Sequence, residues 1–334
     1  MTGRFPGRLL AAAALGLLVA GCGLSAPGSS GAAGPSPGQA QPQVSPAPKP
    51  YDIHPLLDPG NGRKFIGIQA NGEPDSLTPL IDISASIGRK PNLAGQYVAW
   101  GTRFDATAAV NAWNYGALYY MAWEPYSPSV QQIAAGASDG YITRFAKAVR
   151  ALGLPIAISF GHEMNGNWYP WGSAQTPAAT FVAAWRRIHD LFAAAGASNV
   201  IWVWNPNIIN PIPQVQLKPY WPGAGYVDWV GLTGYFAVTG PHTFDGVFEP
   251  TMREIRHFTS KPFIIAETAV ETGPDEGPST ISLVQGVASH SDVIGFVWFD
   301  YNKDGVDWRI ESRPQVRADL AAAIAKLPLT SVGQ

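Results

Sequence analysis

A single (β/α)8 barrel of the α/β class is the fold this 334-residue sequence predicts, behind a leader and a linker, on three observations. From Lys64 onward, short apolar runs alternate with amphipathic segments, the pattern of a parallel α/β fold. Eight such units fill the part of the chain after residue 50, a length close to the ~250 residues typical of that barrel. After the first run the chain reads Asn71-Gly72-Glu73-Pro74, not G-x-G-x-x-G, and no Walker sequence occurs. A doubly wound nucleotide-binding sheet is thereby disfavoured.

The elements follow in chain order. Arg4 and Arg8 precede an apolar run from Leu9 to Ala20, shorter than the roughly 20 residues that span a bilayer. The run closes in Val19-Ala20-Gly21-Cys22, which resembles a bacterial lipobox. That resemblance implies a signal peptide over 1–21, a lipid on Cys22 and an exported protein. It would sit on the outer face of a bacterial membrane, at the cell surface or in the periplasm. In the linker, assigned to 22–50, the residues after Cys22 are almost all Gly, Pro, Ser, Ala and Gln with Lys49 their only charge, too little apolar surface to offset ordering entropy. They are expected to form a disordered tether with a coil-like span of about 30 Å. The barrel is assigned to 51–334. Its strands are predicted at Phe65–Ala70, Gly95–Trp100, Ala117–Trp123, Pro155–His162, Val200–Asn205, Trp229–Tyr235, Phe263–Glu267 and Val293–Phe299. Helical periodicity lies between most of them, as at Tyr141–Leu152, Ala178–Ala195 and Val316–Lys326. Strands buried on both faces read as continuous apolar runs, and Ile201-Trp202-Val203-Trp204 does.

Composition narrows the function. Charged residues are 14% of the chain, against about a quarter in ordinary soluble domains, while aromatics reach 11% with 12 Trp. The net charge is −2, and −4 once a leader with two arginines and no acid is removed, so nothing favours a nucleic-acid or polyanion partner. Low charge with excess Trp points to a neutral ligand with apolar faces, of which sugars lead. One Cys excludes an intrachain disulfide framework and any multi-cysteine metal site.

Barrel chemistry sits at the C-terminal ends of the strands. Those ends carry Gln69, Trp100, Trp123 with Glu124, His162 with Glu163, Trp204 with Asn205, Tyr235, Glu267 and Trp298. Glu163 follows the fourth strand in Gly161-His162-Glu163-Met164-Asn165-Gly166-Asn167-Trp168, and Glu267 closes the seventh after Phe263-Ile264-Ile265-Ala266. A carboxylate there is costly unless used or paired, and Arg103 is the nearest basic candidate after the second strand. Two carboxylates facing one cleft are what glycoside hydrolysis needs, one protonating the leaving oxygen and one attacking the anomeric carbon or activating water. A helical zinc motif needs a second His at position 166, which is Gly, and no G-x-S-x-G elbow follows a strand. No metal and no cofactor are expected.

The His162-to-Gly166 run with Trp168 beyond it resembles the acid/base motif of glycoside hydrolase family 26. The likeness extends from about Phe65 to Leu327, through Val203-Trp204-Asn205-Pro206-Asn207, Asp228-Trp229-Val230-Gly231 to Tyr235, Ala266-Glu267-Thr268-Ala269, and Trp298. It implies a retaining (β/α)8 glycosidase with Glu163 as acid/base and Glu267 as nucleophile. By the same resemblance, His162 would orient the nucleophile or substrate, Tyr235 would donate to Glu267, and Trp298 would floor the sugar at the cleavage point. Trp168 would lie beside the scissile bond and Asp228 would bind a sugar hydroxyl or brace the site. Asn165, Trp171 and Glu124 are further candidates, and Trp100, Trp123 and Trp204 are placed around the cleft. The family implies an endo-acting enzyme on a neutral β-linked polysaccharide, with β-1,4-mannan the first expectation and mixed-linkage β-glucan the second. Many of its mannanases carry an Arg shortly before the His-Glu pair, where this chain reads Ser159-Phe160-Gly161. A monomer is expected. The contrasting reading is a lipoprotein that binds glycans without cleaving them.

Overall fold

The computed structural model describes residues 49–303 and 305–333. The leader, Cys22 and all of the linker except Lys49 and Pro50 lie outside the described residues. The elements run in the order α1 (His54–Leu57), β1 (Phe65–Ala70), α2 (Thr78–Ile87), β2 (Leu93–Ala99), α3 (Ala106–Tyr115), β3 (Leu118–Glu124) and α4 (Val130–Ala134). They continue with α5 (Asp139–Leu152), β4 (Ile156–Phe160), α6 (Ala178–Ala194), β5 (Val200–Trp204), a 3-10 turn (Lys218–Tyr220), β6 (Trp229–Thr233) and α7 (Phe244–Arg256). The last are β7 (Phe263–Thr268), α8 (Glu276–Ser289), β8 (Val293–Asp300), a hairpin of β9 (Asn302–Lys303) and β10 (Val306–Asp307), and α9 (Pro314–Ile324).

β1 to β8 are parallel in sequence order, and β8 pairs back onto β1, so the sheet closes into a barrel. The eight predicted strands are all present, with ends shifted by a residue or two. One helix of the ideal repeat is missing: β5 connects to β6 through a long loop whose only regular turn is Lys218–Tyr220. Local signals set several helix ends. Asp105 caps α3 by accepting from Thr107 N at 2.7 Å, and Gly116 ends it in the left-handed conformation, which glycine adopts without a Cβ penalty.

Alternation along the strands divides the apolar side chains into two cores. Phe65, Leu93, Leu118, Tyr120, Ile201, Val203, Trp229, Ile264, Ala266 and Val297 fill the barrel interior. At its lower end α1 acts as a plug: Leu56 joins this cluster and Trp229 Nε1 donates to Leu57 O at 2.9 Å. The other core lies between strands and helices and holds Ile66, Ile68, Trp123, Phe145, Trp185, Trp204 and Trp298.

Two register shifts break this regularity on β7. Gly231 of β6 faces Ile264, but Thr233 faces Glu267, so three steps on β7 match two on β6. A matching irregularity separates Ile265–Phe296 from Thr268–Trp298. An extra residue of this kind bends the strand and re-aims the next side chain. Ile264 and Ala266 both point inward, so strict alternation would turn Glu267 outward; the bulge returns it to the mouth.

Candidate active site

The site is assembled from strand ends upward. Glu163 leaves β4 through a tight turn in which Gly161 (φ 56°) and Glu163 itself (φ 55°) are both left-handed. Glycine adopts this conformation freely, whereas a glutamate holds it at a cost of order 1–3 kcal/mol and only when its surroundings over-determine it. They do so here. Glu163 N donates to Asn205 O at 2.7 Å and Gly161 N to Trp123 O at 2.9 Å, tying the turn to β5 and β3. Trp168 Nε1 donates to Glu163 Oε2 at 2.9 Å, and Asn207 Nδ2 donates to Oε1.

Glu267 is held differently. Tyr97 OH donates to its Oε2 at 2.5 Å and Tyr235 OH donates to Oε1. Burial keeps both phenols far above their usual range, so they remain protonated donors. Burial raises both carboxyls, but Tyr235, Tyr97 and Lys303 oppose the rise at Glu267. Glu163 is pushed up to about 7 by burial and then by the charge of Glu267, against the opposing effect of its two donors and Lys303. The pair therefore loses its first proton from Glu267 and keeps the second on Glu163. Glu124, closing β3, rises to about 7 by burial and by Glu267.

His162 is buried, and burial followed by the Lys303 charge lowers it to about 3, so the ring is neutral. Its Nε2 meets Tyr169 OH at 3.4 Å and its Nδ1 has no partner among the described residues. The ring thus packs against Tyr97, Tyr169 and Trp171 and is not hydrogen-bonded to the nucleophile candidate. Trp171 is buried behind it, with Nε1 on His162 O at 2.6 Å and its ring stacked on Tyr169. Asn165 touches no open space: its amide exchanges two hydrogen bonds with the Asn207 backbone, at 2.9 and 2.8 Å.

The structure brings Glu163, Glu267, Tyr235, Trp168, His162 and Glu124 to the mouth, with Asn165 and Trp171 directly behind. It does not bring five other expected residues there. Trp100 stacks on Trp123 at 4.3 Å, and Trp123 on Phe145 of α5 at 4.5 Å. Trp204 is wholly buried, with Nε1 on Tyr220 O at 3.0 Å. Trp298 is wholly buried in the same outer layer, with Nε1 on Trp308 O at 2.9 Å, which corrects its assignment as the sugar floor. These tryptophans share the outward parity of their strands. Asp228 is corrected too: it precedes β6 at the opposite end of the barrel and accepts from Trp202 N at 2.9 Å.

Four residues given no role by the sequence alone stand out here, Tyr97, Asn207, Lys303 and Trp308, the first two bonded to the carboxyls. Tyr97 is two residues beyond Gly95, which abuts its register partner Gln69 on the neighbouring strand β1, so period-two spacing could have found it. Asn207 stood inside a quoted motif without a role. Lys303 and Trp308 come from the segment after β8: Lys303 Nζ lies 5.6 Å from the Phe299 ring and Trp308 lies 5.0 Å from Tyr235. Among the described residues no three His, Cys, Asp or Glu side chains group as metal ligands.

Residues 96–261 match glycosyl hydrolase family 26. Endoglucanase H of Acetivibrio thermocellus is 35% identical over 251 residues, covering 71% of this chain and 28% of that protein. Mannan endo-1,4-beta-mannosidase A and B of Caldalkalibacillus mannanilyticus is 33% identical over 131 residues, covering 37% and 23%. The chain thus spans about a quarter of the length of these curated relatives. Among solved structures, a Bacillus subtilis mannanase superposes with a TM-score of 0.60 at 18% identity, covering 83% of this chain and 89% of that one, a likeness of fold. The fold is a closed (β/α)8 barrel, and the sequence likeness, which runs through β2 to the start of β7, is to glycosyl hydrolase family 26.

Proposed function

We propose that the chain is a retaining endo-glycosidase that cleaves a neutral β-linked polysaccharide with Glu163 as acid/base and Glu267 as nucleophile. The observation that carries this reading is the unequal treatment of two carboxyls in one cleft. Glu267 sits between two phenol donors that favour its ionised form, while Glu163 keeps its proton to about 7 under that charge. This is how one site supplies an acid and a nucleophile at the same pH.

In the first step a Glu267 oxygen bonds to the anomeric carbon as the glycosidic C–O bond breaks. The electron pair of that bond stays on the leaving oxygen, which takes the Glu163 proton. In the second, water gives a proton to ionised Glu163 and attacks the same carbon, and the ester pair returns to Glu267. Trp168, 45% exposed with its nitrogen on Glu163, offers a ring face on which the C–H side of a sugar can pack.

For the substrate, β-1,4-mannan is the first expectation from the resemblance. Two observations support β-glucan instead. The match to a protein named an endoglucanase runs over 71% of this chain against 37% for the mannosidase, and Ser159-Phe160-Gly161 lacks the Arg of many mannanases.

Glu163→Ala and Glu267→Ala are each expected to abolish release of reducing ends from lichenan and mannan with Tm kept near wild type. Proton NMR of the first product should show the anomeric configuration retained. Loss of only a few-fold from either substitution means the wrong carboxylate was chosen, and inversion excludes the covalent route. A wild-type chain that binds these glycans and cleaves none would restore the binding-lipoprotein reading.

A further inference from the structure

We infer that Asn207 is the positioning residue that decides which oxygen of Glu163 carries the catalytic proton, assigning it to Oε2. The inference rests on the reading of Glu163 as acid/base. A protonated carboxyl has one carbonyl-like oxygen, the better acceptor, and one hydroxyl. The Asn207 amide donates Nδ2–H to Oε1. Trp168 donates to Oε2 as well, but it is 45% exposed whereas Asn207 is buried and clamped, so the fixed donor sets Oε1 as the carbonyl end and leaves the hydroxyl on Oε2. A hydroxyl oxygen can donate and accept together, so Oε2–H remains compatible with the Trp168 indole N–H on the same atom at 2.9 Å. Oε2 is also the oxygen beside the exposed Trp168 ring, hence on the side open to a leaving group.

The amide is well anchored for this task. Asn165 Nδ2 donates to Asn207 O at 2.9 Å, and Asn207 N donates to Asn165 Oδ1 at 2.8 Å, a two-way clamp between the turn that bears Glu163 and the segment after β5. Asn207 also bridges to Thr233 of β6, and Ile208 N donates to Thr233 O at 2.9 Å. Backbone on both sides is therefore fixed, and the side chain cannot follow Glu163 if Glu163 turns. Asn207 Oδ1 is buried with no partner among the described residues, so no competing acceptor role was found for the amide.

Glu163 must act in both charge states, and one fixed donor serves both. When Glu163 is ionised for the second step, the same N–H holds Oε1 and favours the anion, as does Trp168. In the first step the Oε2 proton passes to the leaving oxygen as the C–O electron pair arrives there. In the second, Oε2 takes a proton from the attacking water. The other titratable groups around Glu163 are Glu267 from β7, Tyr235 after β6, Tyr169 on its own loop, Glu124 from β3, His162 and Lys303 from the hairpin. Substitution at Asn207 leaves all of them in place.

The test compares two substrates in the full chain, a polysaccharide and an aryl glycoside whose dinitrophenolate leaving group needs no acid. Asn207→Ala and the near-isosteric Asn207→Asp are expected to lose about 100-fold in kcat/KM on the polysaccharide and less than about fivefold on the glycosylation of the aryl glycoside. The alkaline limb of the pH profile should move up by about one unit, since a donor to the ionised form has gone. Asn207→Asp, which adds a second carboxyl, should move it further. Asn165→Ala should give the same pattern more weakly. Equal losses on both substrates with an unmoved limb would overturn the inference in favour of a structural role. Glu163→Ala is the control: if it shows the leaving-group pattern and the Asn207 variants do not, only the Asn207 assignment fails. If Glu163→Ala lacks it, the acid/base reading fails first.

Discussion

At the scale of single residues, the chemistry turns on how Glu267 stays ionised while buried. Two phenols point hydrogens at its two oxygens, and neither phenol can lose its proton at working pH. Removing one donor leaves the anion short of a charge-assisted hydrogen bond, worth about 1.5–3 kcal/mol. Tyr97→Phe is therefore expected to lower kcat/KM by roughly 10- to 100-fold with little change in Tm. The direction of the pH effect is fixed by the same argument. The lost donor had favoured the ionised form, so the Glu267 pKa rises, and activity that needs the anion is lost at a higher pH on acidification. The acidic limb should move upward while the alkaline limb, set by Glu163, stays. A profile shifted at both limbs, or at neither, would show that Tyr97 does not act on the nucleophile.

At the scale of elements, the barrel strands are legible because most are short, largely apolar runs between polar or glycine-containing segments. The facing of their last residues was not. The sequence reading placed Trp100, Trp123, Trp204 and Trp298 at strand ends, hence in the mouth, but being last says nothing about parity. Trp123 and its counterparts fall on the outward parity and pack under the helices, where α5 supplies Phe145. Glu267 faces the mouth although simple alternation would have turned it outward, and no local mark shows this, since the bulge on β7 depends on register with β6 and β8. Trp168 could be read because its motif fixes its distance from Glu163. The two kinds of tryptophan should separate cleanly on truncation. Trp123→Ala empties a wholly buried site and is expected to cost about 3–5 kcal/mol by denaturant unfolding. Trp168→Ala, at 45% exposure, should leave unfolding nearly unchanged and raise KM for the polysaccharide while altering the pH dependence through Glu163. Similar stability losses in the two variants would contradict the division into layers.

At the scale of the whole molecule, composition and placement answer different questions. The excess of tryptophan points to a sugar ligand, yet of the six tryptophans expected around the cleft only Trp168 reaches it, with Trp171 behind. The others build the wall that holds the carboxyls at their strand ends. Of the few charges, that of the exposed Lys303 opposes the rise of both Glu163 and Glu267. What composition leaves open is where the barrel works. Among the described residues no helix is long and apolar enough to cross a membrane, so attachment would depend on the leader and Cys22. A single acyl chain holds a protein only marginally and stable anchoring needs more than one, so a lipidated Cys22 carrying several chains should partition firmly with membranes. In a bacterial host the intact chain is expected in the detergent phase of a temperature-induced phase separation, labelled by radioactive palmitate. Cys22→Ala should move it to the aqueous phase and remove the label while leaving kcat/KM on soluble polysaccharide within about twofold, because Cys22 has no part in the proposed chemistry of Glu163 and Glu267. An unlabelled wild-type chain, or a variant that stays with the membrane, would refute the anchor without touching the two glutamates.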